Sequence, residues 1–170
     1  IGVVGLILLL LYQQSSKQFI PGQSSELLKQ QYADRRQAEF QQMLHAQEAV
    51  TPDAVLKLAT ELAENGYGQE SEQLLTEKLP YPAPSEVAQP VAALRLKNSL
   101  TAYYTANLAG DKDVPARLLD VRARLQSLGD PQQVDVETLA SLAKQCADFG
   151  LLPQAASLYA NLALRDGSKQ

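Results

Sequence analysis

Residues 51–79 and 135–166 set apolar side chains at matching distances from a glycine, and this doubled pattern limits the fold more than any other feature. Counting back 11, 8, 7 and 4 residues from Gly66 gives Val55, Leu58, Ala59 and Leu62; from Gly150 it gives Leu139, Leu142, Ala143 and Cys146. Counting forward 5, 8 and 9 gives Ser71, Leu74 and Leu75, then Ala155, Leu158 and Tyr159. The spacing i, i+3, i+4, i+7 marks one face of an α-helix. A glycine between two such faces is the residue best able to end the first helix in a left-handed conformation. Each stretch therefore predicts a helix hairpin, and the chain predicts an all-α fold. Ala143 and Ala155 stand where a core usually takes bulk, so that the paired helices approach closely and their larger neighbours interlock.

Start signals agree with this reading. Thr51 precedes Pro52 at the first helical position, and Asp135 is placed to cap the last pair. A third, irregular hairpin is expected over 90–128, with Leu94, Leu100, Tyr103, Tyr104 and Leu108 before Gly110 and Leu118, Leu119 and Leu125 after it. There Ser99 and Pro115 occupy two of the expected apolar positions. The proline-rich segment 80–89 reads as a connector, since proline removes an amide and restrains its predecessor, and the next helix is expected from about Pro90. Upstream, 24–50 predicts a long amphipathic helix, capped by Ser24 or Ser25, with Leu28, Tyr32, Phe40, Met43 and Leu44 as an incomplete apolar stripe. Residues 13–23, closed by Pro21-Gly22, read as a linker.

The first twelve residues, IGVVGLILLLLY, are apolar throughout and uncharged. A bilayer span takes roughly 20 such residues, so this run is expected to be the end of a membrane anchor rather than a whole one. No small-residue cleavage signal follows it, which favours an uncleaved anchor over a secretory signal. Only Lys17 lies close after the run, as expected on the non-cytoplasmic side. The expectation is a single-pass inner-membrane protein with its helical part in the periplasm. The 45% apolar content argues against general disorder. A formal net charge of -4 makes nucleic acid a poor partner, and the single cysteine, Cys146, can form no internal disulfide.

Laid from Val136, the last unit resembles a tetratricopeptide repeat, a helix–turn–helix of about 34 residues. Leu142-Ala143 stand for the family's Leu-Gly pair, Gly150 for its turn, Ala155 for its signature alanine and Tyr159 for its large aromatic. Cys146 departs from the usual tyrosine, Leu139 takes the place of the frequent tryptophan, and Gly167 stands where proline is common. Repeat 51–79 matches more loosely. The resemblance implies hairpins stacked as a short solenoid whose first helices line a groove. Carried over by position, the partner-groove candidates are Thr60 and Glu64, Tyr104 and Asn107, and Lys144 and Asp148.

The order of anchor, helical spacer and irregular hairpins, closed by LAKQCADFGLLPQAASLYANLALRDG, is similar to the start of the large repeat proteins of Pel-type exopolysaccharide export. That resemblance implies a periplasmic scaffold, part of a longer array, that binds polysaccharide-modifying and export proteins and guides the polymer.

His45 is the only histidine, which excludes a multi-histidine metal site. No phosphate-binding G-x-x-x-x-G-K-[ST], dinucleotide G-x-G-x-x-G or nucleophile G-x-S-x-G motif occurs. Carboxylates such as Glu61/Glu64 and Glu70/Glu72 fall on helical faces read as solvated. Of Tyr103-Tyr104, one ring is expected in the core and the other is free to stack on a sugar or peptide. No cofactor, no metal and no intrinsic catalysis are expected. The sequence favours a membrane-tethered protein-interaction scaffold, with an envelope assembly or chaperone-type adaptor that recognises peptide segments as the alternative.

Overall fold

A computed structural model of the 170-residue chain describes residues 23–46, 50–80, 82–130 and 133–167. The expected anchor over 1–12 and nearly all of the expected linker lie outside them. The described residues hold seven helices and no strand: α1 (Gln23–His45), α2 (Pro52–Glu64), α3 (Gly68–Lys78), α4 (Ser85–Ala109), α5 (Val114–Ser127), α6 (Val136–Asp148) and α7 (Leu152–Gly167). The expected all-α class holds for these residues. None of these helices is long and apolar enough to cross a membrane.

The chain divides into a unit ending at Ala38 and a larger one from Glu39. In the first, the Arg36 guanidinium sits 4.8 Å over the Tyr32 ring, and Leu27 and Tyr32 are exposed. The expected stripe along α1 is thus not buried as a whole. Phe40, in the larger unit, is buried, while Met43 and Leu44 pack half-buried on the same cluster. The side chain of Leu28 lies outside the described residues. Ser24 and Ser25 fall inside α1 (Gln23–His45), and their side chains lie outside the described residues. The helix ends at His45 rather than at 50; the next carbonyl, Ala46, accepts a hydrogen bond from Lys78 Nζ (3.1 Å).

Three helix pairs, α2/α3, α4/α5 and α6/α7, make up most of the larger unit. Their turns have the same construction. Gly66, Gly110 and Gly150 all take left-handed φ, at 88°, 64° and 78°. After each glycine the next amide reaches back to a carbonyl five residues earlier: Tyr67 to Leu62, Asp111 to Ala106, Leu151 to Cys146. This is the Schellman closure, which satisfies carbonyls that a helix end leaves orphaned. The first and third pairs also share their starts, with Thr51 accepting from the Ala54 amide and Asp135 from the Thr138 amide. Val55, Leu58, Ala59 and Leu62 are buried in one, and Leu139, Leu142, Ala143 and Cys146 in the other.

The middle pair departs from the others at α4. This helix begins at Ser85, inside the expected connector, and carries Pro90 in its second turn. The missing Pro90 amide leaves only the Glu86 carbonyl without its helical donor, while burial of Val87 and Val91 (1% and 4% exposed) holds the turn in place. At 25 residues α4 has nearly twice the 13 of α2 or α6. It uses the extra length to serve two cores. Val87, Val91 and Leu94 join Leu62, Leu74 and Leu75, whereas Ala93, Leu96 and Leu100 join Leu139, Leu142 and Ala155. Fully burying a leucine contributes about 1.5–3 kcal/mol, so each set is a substantial anchor. Pro115 falls in the first turn of α5, where its lost amide does no harm.

Candidate functional site

The first helices of all three hairpins line one groove. Its volume is about 530 Å³, and it takes Leu56, Thr60 and Glu64 from α2, residues 89–97 of α4, and Glu137, Thr138, Ser141 and Leu142 from α6, with the 133–135 loop closing one end. The floor is apolar, formed by Leu56, Pro90, Ala93, Leu94 and Leu142, and the walls are polar. Glu64, Asp135 and Glu137 face it from the walls against one cation, Lys97, so the groove is acidic on balance. Such a trough suits an extended segment or a helix edge with apolar teeth and basic or amide flanks.

Each wall is held by local structure. Thr60 Oγ1 donates to the Leu56 carbonyl at 2.8 Å, which fixes its methyl and hydroxyl against α2. Gln89 Nε2 donates to the Leu128 carbonyl at 3.1 Å and ties the start of α4 to the end of α5. Asp135 Oδ1 accepts the Thr138 amide at 2.7 Å. Hydrogen bonds from Thr138, side chain first and backbone second, hold the Asp135 carboxyl below its ordinary pKa. It therefore stays an anion at the groove's edge through neutral and mildly acid pH.

Of the six candidates carried over by position, Thr60 and Glu64 line the groove. The other four do not. Tyr104 stacks on Phe149, with ring centroids 4.2 Å apart and planes inclined by 8°, and Asn107 is exposed near the end of α4. Lys144 and Asp148 are exposed and pair with each other along α6; the Asp148 hydrogen bond and charge raise the Lys144 pKa. Counting from Gly110 placed the α4 contribution too far along, because that helix extends five residues before Pro90 and meets the groove with its first half. Gln89 and Lys97 were missed for that reason; Ser141 was missed because α6 meets the groove with its first half, ahead of Lys144 and Asp148. The signal was present in Val87, Val91 and Leu94, a helical i, i+4, i+7 set that begins inside the proline-rich segment.

A second, more polar cleft of about 860 Å³ lies between α3, α4 and α5. Its centre is an ionic network. Arg124 Nη2 donates to Glu72 Oε1 at 3.0 Å, Arg95 Nε lies 3.7 Å from the same oxygen, and Arg124 Nε lies 3.5 Å from Asp120 Oδ1. The Ser99 hydroxyl donates to Asp120 Oδ2 at 2.5 Å, and Asn98 Nδ2 donates to Ser71 Oγ at 3.0 Å. Ser99 and Ser71, polar at positions the helical pattern reserves for apolar side chains, are thus both satisfied across helix boundaries. Tyr103 packs half-buried on the second core, as expected of one ring of the tyrosine pair.

Chemically reactive groups are sparse. Cys146 is fully buried, and burial pushes its thiol pKa up to about 11. Among the described residues no three His, Cys, Asp or Glu side chains cluster closely enough to hold a metal ion. Compared with known proteins, the chain matches no family, no curated protein and no solved structure.

Proposed function

We propose that this chain is a non-catalytic interaction scaffold whose docking surface is the groove between α2, α4 and α6. In this reading the hairpins are tetratricopeptide-like units of a short solenoid. Residues 1–12 tether them to the inner membrane, and they work in the periplasm of a bacterial envelope, in exopolysaccharide export of the Pel type. The observation that carries the reading is that three helices, each the first of its pair, converge on one acidic, apolar-floored trough. The matching turns at Gly66, Gly110 and Gly150 support the repeat interpretation. The partners are proteins of the membrane or periplasm that modify or export polysaccharide.

The test is site-specific photocrosslinking in the native host. A photoreactive residue at Ser141, in the groove, is compared with one at Ala123, on the exposed side of α5. Expected is a discrete protein adduct from position 141, weakened by Glu64→Arg and absent from position 123. Equal labelling from both positions, or adduct formation indifferent to Glu64→Arg, overturns the groove assignment. Sedimentation of the full chain with membranes, abolished by replacing Leu8 and Leu9 with lysine, is the expected result for the tether.

A further inference from the structure

The helices that line the groove run in one direction, and two contacts fix the register of α4 against α6. Gln145 Nε2 donates to Thr101 Oγ1 at 3.3 Å, and Phe149 stacks on Tyr104. Each α4 position is therefore level with the α6 position 44 or 45 residues later. Ala93 is level with Glu137, and Lys97 with Ser141. On the other wall α3 folds back from α2 through the Gly66 turn and brings Gly68 beside α4, where a methyl group built on the glycine would lie 3.7 Å from Asn98 Oδ1. Glu64 stands across that turn from Gly68, so it shares the Lys97 end of the groove.

The charges are sorted along this axis. At one end Glu64 and Lys97 oppose each other in sign; at the other Asp135 and Glu137 stand together, with no cation among the lining residues there. Arg165 Nη1 donates to the Val134 carbonyl at 2.6 Å, but Arg165 does not line the groove. The positive end of the α6 dipole offsets about half a charge, which leaves roughly −1.5 at the Asp135 end against zero at the Glu64–Lys97 end. Between the two ends lies the apolar floor of Leu56, Ala93, Leu94 and Leu142. Six helical residues separate Asp135 from Ser141, a rise of about 9 Å, which an extended chain crosses in about three residues. Resting on the docking role assigned to this groove above, we propose that its occupant is an extended segment of a partner protein bearing apolar side chains and, about three residues from them, a lysine or arginine. The basic end seats against Asp135 and Glu137, and the neutral end lies between Glu64 and Lys97. The groove then selects the direction of the segment as well as its composition.

Fluorescence anisotropy of the full chain with four labelled peptides tests this. All share a Leu-Ala-Leu core; two carry Lys-Arg, at one terminus or the other, and two carry Glu-Asp in the same places. The better basic peptide is expected to bind about tenfold or more tighter than either acidic one, and the two basic peptides are expected to differ from each other. The double variant D135N/E137Q is expected to cut the preference to about threefold or less. Asparagine caps a helix as well as aspartate does, so this variant keeps its fold, which circular dichroism checks. E70Q/E77Q removes the same two charges from the other cleft and is expected to leave the preference unchanged. Equal binding of basic and acidic peptides, a preference that survives D135N/E137Q, or one lost equally in E70Q/E77Q overturns the proposal. Absence of peptide binding up to about 1 mM, with crosslinking from position 141 intact, overturns the basic segment and spares the docking surface. Absence of that crosslink overturns the docking role, and this proposal with it.

Discussion

The ring of Tyr104 lies flat on the ring of Phe149, 4.2 Å between centroids. Tyr104 belongs to the last turns of α4, and Phe149 is the residue that ends α6. The stack therefore clasps the middle hairpin to the third one at the point where α6 turns into α7. A double-mutant cycle with Tyr104→Ala and Phe149→Ala is expected to give a coupling of about 0.5–1.5 kcal/mol in urea unfolding. A coupling near zero would mean that the rings touch without holding the hairpins together.

Ala59 and Ala143 are fully buried at equivalent points of the first and third hairpins. Replacing either with leucine forces extra methylenes between paired helices and is expected to cost about 1–3 kcal/mol. Ala160→Leu, on the exposed side of α7, is expected to stay within about 0.5 kcal/mol. Thermal or denaturant melts of the three variants check this directly.

The caps of α2 and α6 differ in charge, and their pH responses separate accordingly. Asp135→Ala is expected to cost about 1 kcal/mol at neutral pH. Since the native carboxyl titrates below its ordinary value of 3.8, its contribution is complete above that pH and is lost as pH falls through the lowered native value. The gap between wild type and Asp135→Ala should close on acidification. Thr51, whose hydroxyl accepts the Ala54 amide at a longer 3.4 Å, should show a smaller loss on Thr51→Ala that does not change with pH. Parallel unfolding curves between pH 7 and pH 2.5 report both.

Glu72 accepts from Arg124 and faces Arg95, with only 30% of its side chain exposed. Glu72→Ala leaves two guanidinium groups facing each other without their shared anion, at an expected cost of about 1–3 kcal/mol. The double variant Glu72→Leu with Arg124→Leu should recover part of that loss, because apolar contact replaces a half-desolvated pair. No recovery in chemical denaturation would show that the network sets the helix register rather than satisfying itself.

Cys146 offers a reporter that needs no engineering. Its thiol is buried and its pKa raised to about 11, so a disulfide reagent at pH 8 should label the native chain only as fast as it opens. Full labelling in denaturant and slow labelling without it are expected. Fast native labelling would place Cys146 outside the core.

Much of this architecture was legible from apolar spacing around glycines. The turns at Gly66 and Gly150 and the eight buried positions before them followed from the helical period and the left-handed C-terminal residue, both local properties of the chain. The reading failed at α4. Prolines at 80, 82, 84 and 90 suggested a break, but a helix tolerates Pro90 when the carbonyl it orphans lies in the first turn and the neighbouring valines are buried. That tertiary gain is invisible to a local rule. The groove shows the same limit: Thr60 and Glu64 line it because α2 is regular, whereas Tyr104 and Asn107 fall on the second half of a lengthened helix and do not. The Tyr104–Phe149 stack joins residues 45 positions apart and has no signature in spacing.

Because α4 belongs to both hydrophobic clusters, the two outer hairpins cannot melt as independent beads. Stretching the chain from either side strains the same central rod, and once it gives way both flanks lose their seat together. A chain of this build stays stiff up to a threshold and then yields at once, rather than lengthening hairpin by hairpin.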